Sequence, residues 1–178
     1  MNKSFSFWQF SGLVFTGILG TILHFVFDWT NQSVISALFC AVNESIWEHM
    51  KLLYFPMFAF SLIQADKFKY LYSNFWCIKL SGLLIGLVTI PTIYYTYTGI
   101  LGISADWFNI LIFFISAAIS FYVETILIKN CRRCIFSSTV SLIIILLIGI
   151  VFIIFTFSPP KIPLFQDPIN KTFGYIYK

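Results

Sequence analysis

Between Ser141 and Phe157 the chain reads SLIIILLIGIVFIIFTF, a helix-length stretch without one ionisable side chain. A helix that is apolar all round must be surrounded by protein or by lipid. About 20 such residues cross the roughly 30 Å hydrocarbon core of a bilayer. The run at 140–157 has four counterparts, at 7–27, 46–63, 75–97 and 107–128. Composition points the same way: of 178 residues 59% are hydrophobic and only 10% charged, with a mean hydropathy of +0.89. A water-soluble domain carries about a quarter of its residues as charges, so that class is excluded. The expectation is all-α: an integral membrane bundle of about five transmembrane helices over residues 1–157, followed by a proline-rich tail at 158–178. The run at 46–63 is the most polar at its start, where Glu48, His49 and Lys51 stand.

The formal charge of +4 matters less than where the cations lie. Lys67 and Lys69 follow the second run, and Lys129, Arg132 and Arg133 follow the fourth. The loops after the first and third runs contain no Lys or Arg. Cations collect in cytoplasmic loops, so the N-terminus is expected inside and the C-terminus outside, with the first run retained as a span. Two short clusters between spans are not the basic stripe of a nucleic-acid binder, and nucleic acid is set aside as a partner. Pro159, Pro160, Pro163 and Pro168 make the tail extended and polyproline-like, draped over the outer mouth. Pro56 and Pro91 interrupt spans two and three, where each removes one backbone donor and favours a kink. No internal repeat supports a large inverted-repeat transporter.

Ionisable residues at membrane depth need a partner, a path to water or a function. Lys79 and Glu124 sit at equal depth near the cytoplasmic side and are expected to form a structural ion pair. The larger group gathers outside. His24 and Asp28 share one face of the first span's outer end, Asn43, Glu44, Ser45, Glu48 and His49 open the second span, and Asp106 opens the fourth. If these ends pack together, two histidines and several carboxylates meet at one level. That donor set suits Zn²⁺ or a similar divalent ion. The candidate ligands are His24, His49, Glu48 and Asp106, with Glu44 and Glu48 available as general bases. Asp28 would orient His24, while Asn43, Ser45 and Lys51 would support the carboxylates. Lys51 can reach back toward them because helical side chains lean to the N-terminus.

A structural reading stands beside this one. Ser45-Ile46-Trp47-Glu48 has the form of a capping box, and acidic residues complement the positive end of a helix dipole. Capping leaves His24, Asp28 and His49 without an explanation. Two functional classes follow: an outward pocket that binds or hydrolyses something at the membrane surface, such as a lipid head group or small ion, or a non-enzymatic permease or accessory protein whose cluster handles protons or ions or merely caps helices. Phosphate loops, H-E-x-x-H and G-x-S-x-G are absent from the sequence. Cys131 and Cys134 form a lone C-x-x-C, half a zinc site at most, and are expected as unpaired thiols in a reducing cytoplasm. Trp8, Trp29, Trp76, Tyr94, Tyr95, Tyr97 and Trp107 fall near run ends, where such rings anchor at membrane interfaces.

The segment VNESIWEHMKLLYFPM resembles the mark of a family of small bacterial multi-pass membrane proteins, a domain of unknown function with an Asn-Glu-Ser-x-Trp-Glu-His-x-Lys run. The likeness extends from His24 and Asp28 to the PPKIPLFQDP tail. It implies a multi-pass protein of the bacterial inner (cytoplasmic) membrane and brings no activity with it.

Overall fold

A computed structural model describes residues 3–129 and 135–176. Arg132, Arg133, Cys131 and Cys134, and with them the expectation of unpaired thiols, lie outside these residues. The described chain is helical: α1 (Lys3–Trp29), α2 (Val34–Ala37), α3 (Ile46–Phe68), α4 (Phe75–Leu101), α5 (Asp106–Lys129) and α6 (Ser138–Phe157), then a single 3₁₀ turn at Pro163–Phe165. Among the described residues only an isolated bridge, Gln166 to Phe173, has β character. Helices α1, α4, α5 and α6 are long and apolar enough to cross a membrane. The chain is therefore a helical membrane protein. Helices α3 and α4 run on through Pro56 and Pro91.

The long helices alternate in direction. At one end Phe5, Phe68, Phe75 and Ile128 pack into one apolar cluster, and the Trp76 amide donates to Ser138 Oγ. At the other end α1, the start of α3, the junction of α4 with α5 and the end of α6 come together. Between the ends, α1 is held close by absent side chains. A Cβ at Gly12 would stand 2.6 Å from the rings of Phe60 and Phe121, and one at Gly20 would stand 2.5 Å from the Phe113 ring and 2.9 Å from the Leu52 carbonyl. Small residues of this kind let membrane helices approach where no hydrophobic force drives them together.

Two charged networks are buried in the bundle. The Lys79 ammonium of α4 donates to Glu124 Oε2 of α5 at 2.5 Å, and Gln9 Nε2 of α1 donates to the same oxygen at 2.9 Å. Gln64 Nε2 of α3 donates to Gln9 Oε1 at 3.2 Å, so four helices share one polar knot. The expected Lys79 to Glu124 pair is thus present, with two glutamines completing it. Toward the other end, Lys51 Nζ lies 2.5 Å from Glu48 Oε2 and donates to the Ala37 carbonyl and to Thr156 Oγ1. Thr156 Oγ1 in turn donates to Glu48 Oε1 at 2.8 Å. Glu48 and Lys51 are 1% and 0% exposed, so each charge is neutralised inside the protein rather than by water.

The tail departs from a polyproline strand. Asp167 turns it by accepting hydrogen bonds from the amides of Ile169 and Asn170 at 2.7 and 3.0 Å. The Tyr175 amide then donates to the Thr156 carbonyl, and the Tyr175 hydroxyl donates to the Gln32 carbonyl. Trp47 clamps the same region, with ring centroids 4.5 Å from Phe152 and 4.7 Å from Phe165. A short polar side chain that satisfies the backbone locally outcompetes extended chain here. Burial pushes the Asp167 carboxyl up, but the hydrogen bonds from Asn170 and Ile169 outweigh it and hold the group below the usual carboxylate range.

Two outcomes follow from these contacts. Glu124→Leu, which strands the Lys79 ammonium, should cost about 3–5 kcal/mol in unfolding measured in detergent, and Lys79→Met added to it should recover most of that loss. A double variant no more stable than Glu124→Leu would refute the pairing. The depressed Asp167 value means that its contribution is complete above the ordinary carboxylate range and is lost as pH falls through the lowered value. Proteolysis at Lys171 should therefore accelerate on strong acidification in the wild type and be fast at neutral pH in Asp167→Ala; equal rates in the two proteins at neutral pH would count against the anchor.

Candidate metal centre

Three segments converge where the end of α1 meets the start of α3. His24 is near the end of α1, Glu44 lies in the loop before α3, and His49 is in the first turn of α3. Local structure aims each of them. Ser45 caps α3 by accepting the Glu48 amide at 3.4 Å, and the Ser45 amide donates to Asn43 Oδ1 at 2.9 Å. The capping box is thus half formed, because Asn43 takes the donor that Glu48 was expected to satisfy. Glu48 instead accepts from the Val42 amide at 3.2 Å and from Thr156 and Lys51. Glu44, next to the cap, is left projecting outward, and its amide donates to Asp167 Oδ2 of the tail at 3.5 Å.

The Glu44 carboxylate lies between the two imidazoles, Oε1 at 3.7 Å from His24 Nε2 and Oε2 at 3.5 Å from His49 Nε2. The rings are 5.5 Å apart between centroids. One ligand atom from each of His24, Glu44 and His49 lies within 4.8 Å of the other two. These separations exceed the 2.7–3.2 Å of ordinary N–H to oxygen hydrogen bonds. Ligands bound at about 2 Å around a tetrahedral ion are themselves roughly 3.3 Å apart, so a small contraction would close the three onto one ion.

His49 is oriented by the backbone. Its Nδ1 lies 2.9 Å from the Ser45 carbonyl, which can only accept, so Nδ1 carries a hydrogen and, in the neutral imidazole, Nε2 holds the lone pair on the Glu44 side. A backbone carbonyl fixing the tautomer in this manner is the usual support of a metal-ligating histidine. His24 Nδ1 is buried with no hydrogen-bond partner among the described residues. All three side chains are partly exposed, between 23% and 42%.

The cluster opens into two cavities that share Glu44, His49, Asp106, Asn109, Phe113 and Ile169 of the tail. One, of about 370 Å³, lies between α1, α3 and α5 and includes His24; the other, of about 210 Å³, lies between α3, α4 and α5 and includes Tyr94 and Ser104. Asp106 thus faces both cavities but stands outside the three-residue cluster. Asn109 is held by Tyr97, whose hydroxyl donates to Asn109 Oδ1 at 2.5 Å.

Of the residues expected at the site, His24, Glu44 and His49 are brought together, Asp106 borders them, and Asn43 and Ser45 shape the loop that presents Glu44. Glu48 is not with them: the expectation of Glu48 as a ligand or base is corrected by its burial against Lys51 and Thr156. Lys51 supports Glu48 alone. Asp28, expected to orient His24, makes no hydrogen bond to it among the described residues and is exposed. Sequence reasoning missed Asn109, Thr156 and Ile169. Thr156, a hydroxyl in the least polar helix, carried a usable signal; Ile169 carried none, since only the folded tail brings it to the cavity.

No curated protein and no solved structure matches the chain. A family model described as a family of unknown function, DUF6512, matches residues 1–175. A match over nearly the whole length places it plainly: the chain belongs to the DUF6512 family.

Proposed function

We propose that His24, Glu44 and His49 hold a divalent ion such as Zn²⁺ at the outer surface of a five-span protein of the bacterial cytoplasmic membrane, and that the site binds or hydrolyses a head group there. The observation that carries this is the mutual approach of the three candidate ligand atoms, with His49 Nδ1 held by the Ser45 carbonyl and Nε2 on the Glu44 side. Helix α3 supplies the fifth crossing. Its 23 residues extend for about 34 Å, and its internal charges are paired within the bundle. With the basic loops inside, five crossings put α1's outer end and the tail on the opposite side.

If His24, Glu44 and His49 held an ion, it would supply Lewis-acid chemistry, polarising a phosphoryl or carbonyl oxygen and acidifying a water at the cavities. Asp106, facing the same space and free of the ligand set, is the carboxylate placed to accept a proton, and Asn109 is a donor for an oxygen that gains charge. Glu44 passes from the expected base to the expected ligand, and Glu48 becomes a structural charge.

Metal analysis of the purified protein tests the assignment. Wild type should carry one Zn²⁺ per chain, and His24→Ala, Glu44→Gln and His49→Ala should each weaken binding more than about 100-fold. Glu48→Gln should lose stability while keeping its metal. A wild type that takes up no divalent ion defeats the proposal, and ion flux in liposomes lost in Glu44→Gln would then favour the permease class. For orientation, Ile169→Cys should react with a membrane-impermeant maleimide in intact cells, and Tyr70→Cys should not. The two positions are 70% and 85% exposed, so the reverse pattern would invert the topology.

A further inference from the structure

The larger cavity differs in kind from the smaller one, although both end on Glu44, His49 and Asp106. Beyond the ligands, its wall is made by Gly20, Thr21 and Phe25 of α1 facing Ile110, Phe113 and Phe114 of α5. Three of these apolar side chains are open to the outside of the bundle: Phe25 is 46% exposed, Ile110 60% and Phe114 42%. They are not at the tip of the protein. His24 lies about 7 Å below the end of α1, and Ile110 to Phe114 lie about 6–12 Å below the start of α5. The opening therefore faces sideways, at the depth where hydrocarbon meets head groups. The smaller cavity adds Tyr94 and Ser104 to the shared residues, beside the apolar Ile46, Ile90 and Ile112.

We infer that the gap between α1 and α5 is a lateral portal, through which a phosphorylated lipid seats its acyl chain against Thr21, Phe25, Ile110 and Phe114 while its phosphate reaches the His24, Glu44 and His49 cluster. The inference rests on the metal reading for the phosphate contact only. An apolar wall open to the bilayer disfavours a small polar solute and favours a molecule already dissolved in the membrane, because the chain moves from one apolar medium to another while the head stays at the wet end. An anionic phosphoryl oxygen is a hard donor suited to the open position of a divalent site. Gly20 makes the portal possible: the Phe113 ring occupies the place where a larger residue's Cβ would be, which brings α1 and α5 together below the opening while leaving the gap above.

Native mass spectrometry of the detergent-solubilised protein, titrated with dioleoyl phosphatidylglycerol and separately with glycerol 3-phosphate, tests this, with metal content measured on the same samples. Thr21→Phe and Ile110→Trp fill the portal from exposed positions and replace none of the three cluster residues. Wild type should retain one lipid per chain, glycerol 3-phosphate should bind about 100-fold more weakly, and both variants should lose lipid about tenfold with metal unchanged. Equal binding of glycerol 3-phosphate, or undiminished lipid in both variants, overturns the portal. Lipid retained by a wild type that holds no metal supports the portal and overturns the metal reading, whereas metal retained without lipid does the reverse.

Discussion

A charge buried among apolar helices is costly unless it finds a counterpart inside the protein, and this chain buries two such pairs toward opposite ends of the bundle. Lys79 and Glu124 lie on neighbouring helices, and Gln9 and Gln64 tie two more helices to them. An apolar surface in lipid contributes little to helix association, since lipid tails are as apolar as leucine. The knot is therefore what specifies which helices meet and in which register; the glycines of α1 then allow the contact to be close.

The second pair, Glu48 with Lys51, sets the site by what it removes from it. Thr156 and the carbonyl of Ala37 complete the shell around Lys51, so neither charge is available to a ligand. That pair also couples the end of α6 to the start of α3, and the tail that follows α6 returns over the cluster through Asp167 and Tyr175. The result is a division of labour among carboxylates of similar sequence position. Glu48 is structural, Glu44 faces the histidines, and Asp106 stands across the cavity.

Two cavities meet at the cluster, one bordered by the tail and the α4–α5 junction, the other by α1 and α5. In the portal reading proposed above, water and the apolar part of a membrane-dissolved molecule would reach the cluster from these two sides. Preorganisation comes from the backbone: the Ser45 carbonyl that fixes His49 is itself part of the first turn of α3, so ligand geometry and helix start are one structure.

Much of this was readable in the residues. The apolar runs required membrane helices, because no water-soluble arrangement could cover them. Equal depth favoured pairing Lys79 with Glu124 over snorkelling to separate water or an ion path, since a low dielectric makes an isolated charge costly. Adjacency to the helix start marked Asn43 to His49 as polar and outward. What periodicity could not determine was which of Glu44 and Glu48 would face the histidines. The two are only 40° apart on an ideal helix, but Glu44 proved to lie before the helix begins, and Thr156, more than a hundred residues away, captured Glu48. Asp28 was placed beside His24 by spacing and turned to solvent. Sequence by itself determined the class of fold and the inventory of costly polar groups, because burial of each residue type has its own energetic sign; tertiary structure alone decided the pairings, because those depend on distances between segments that no local pattern encodes.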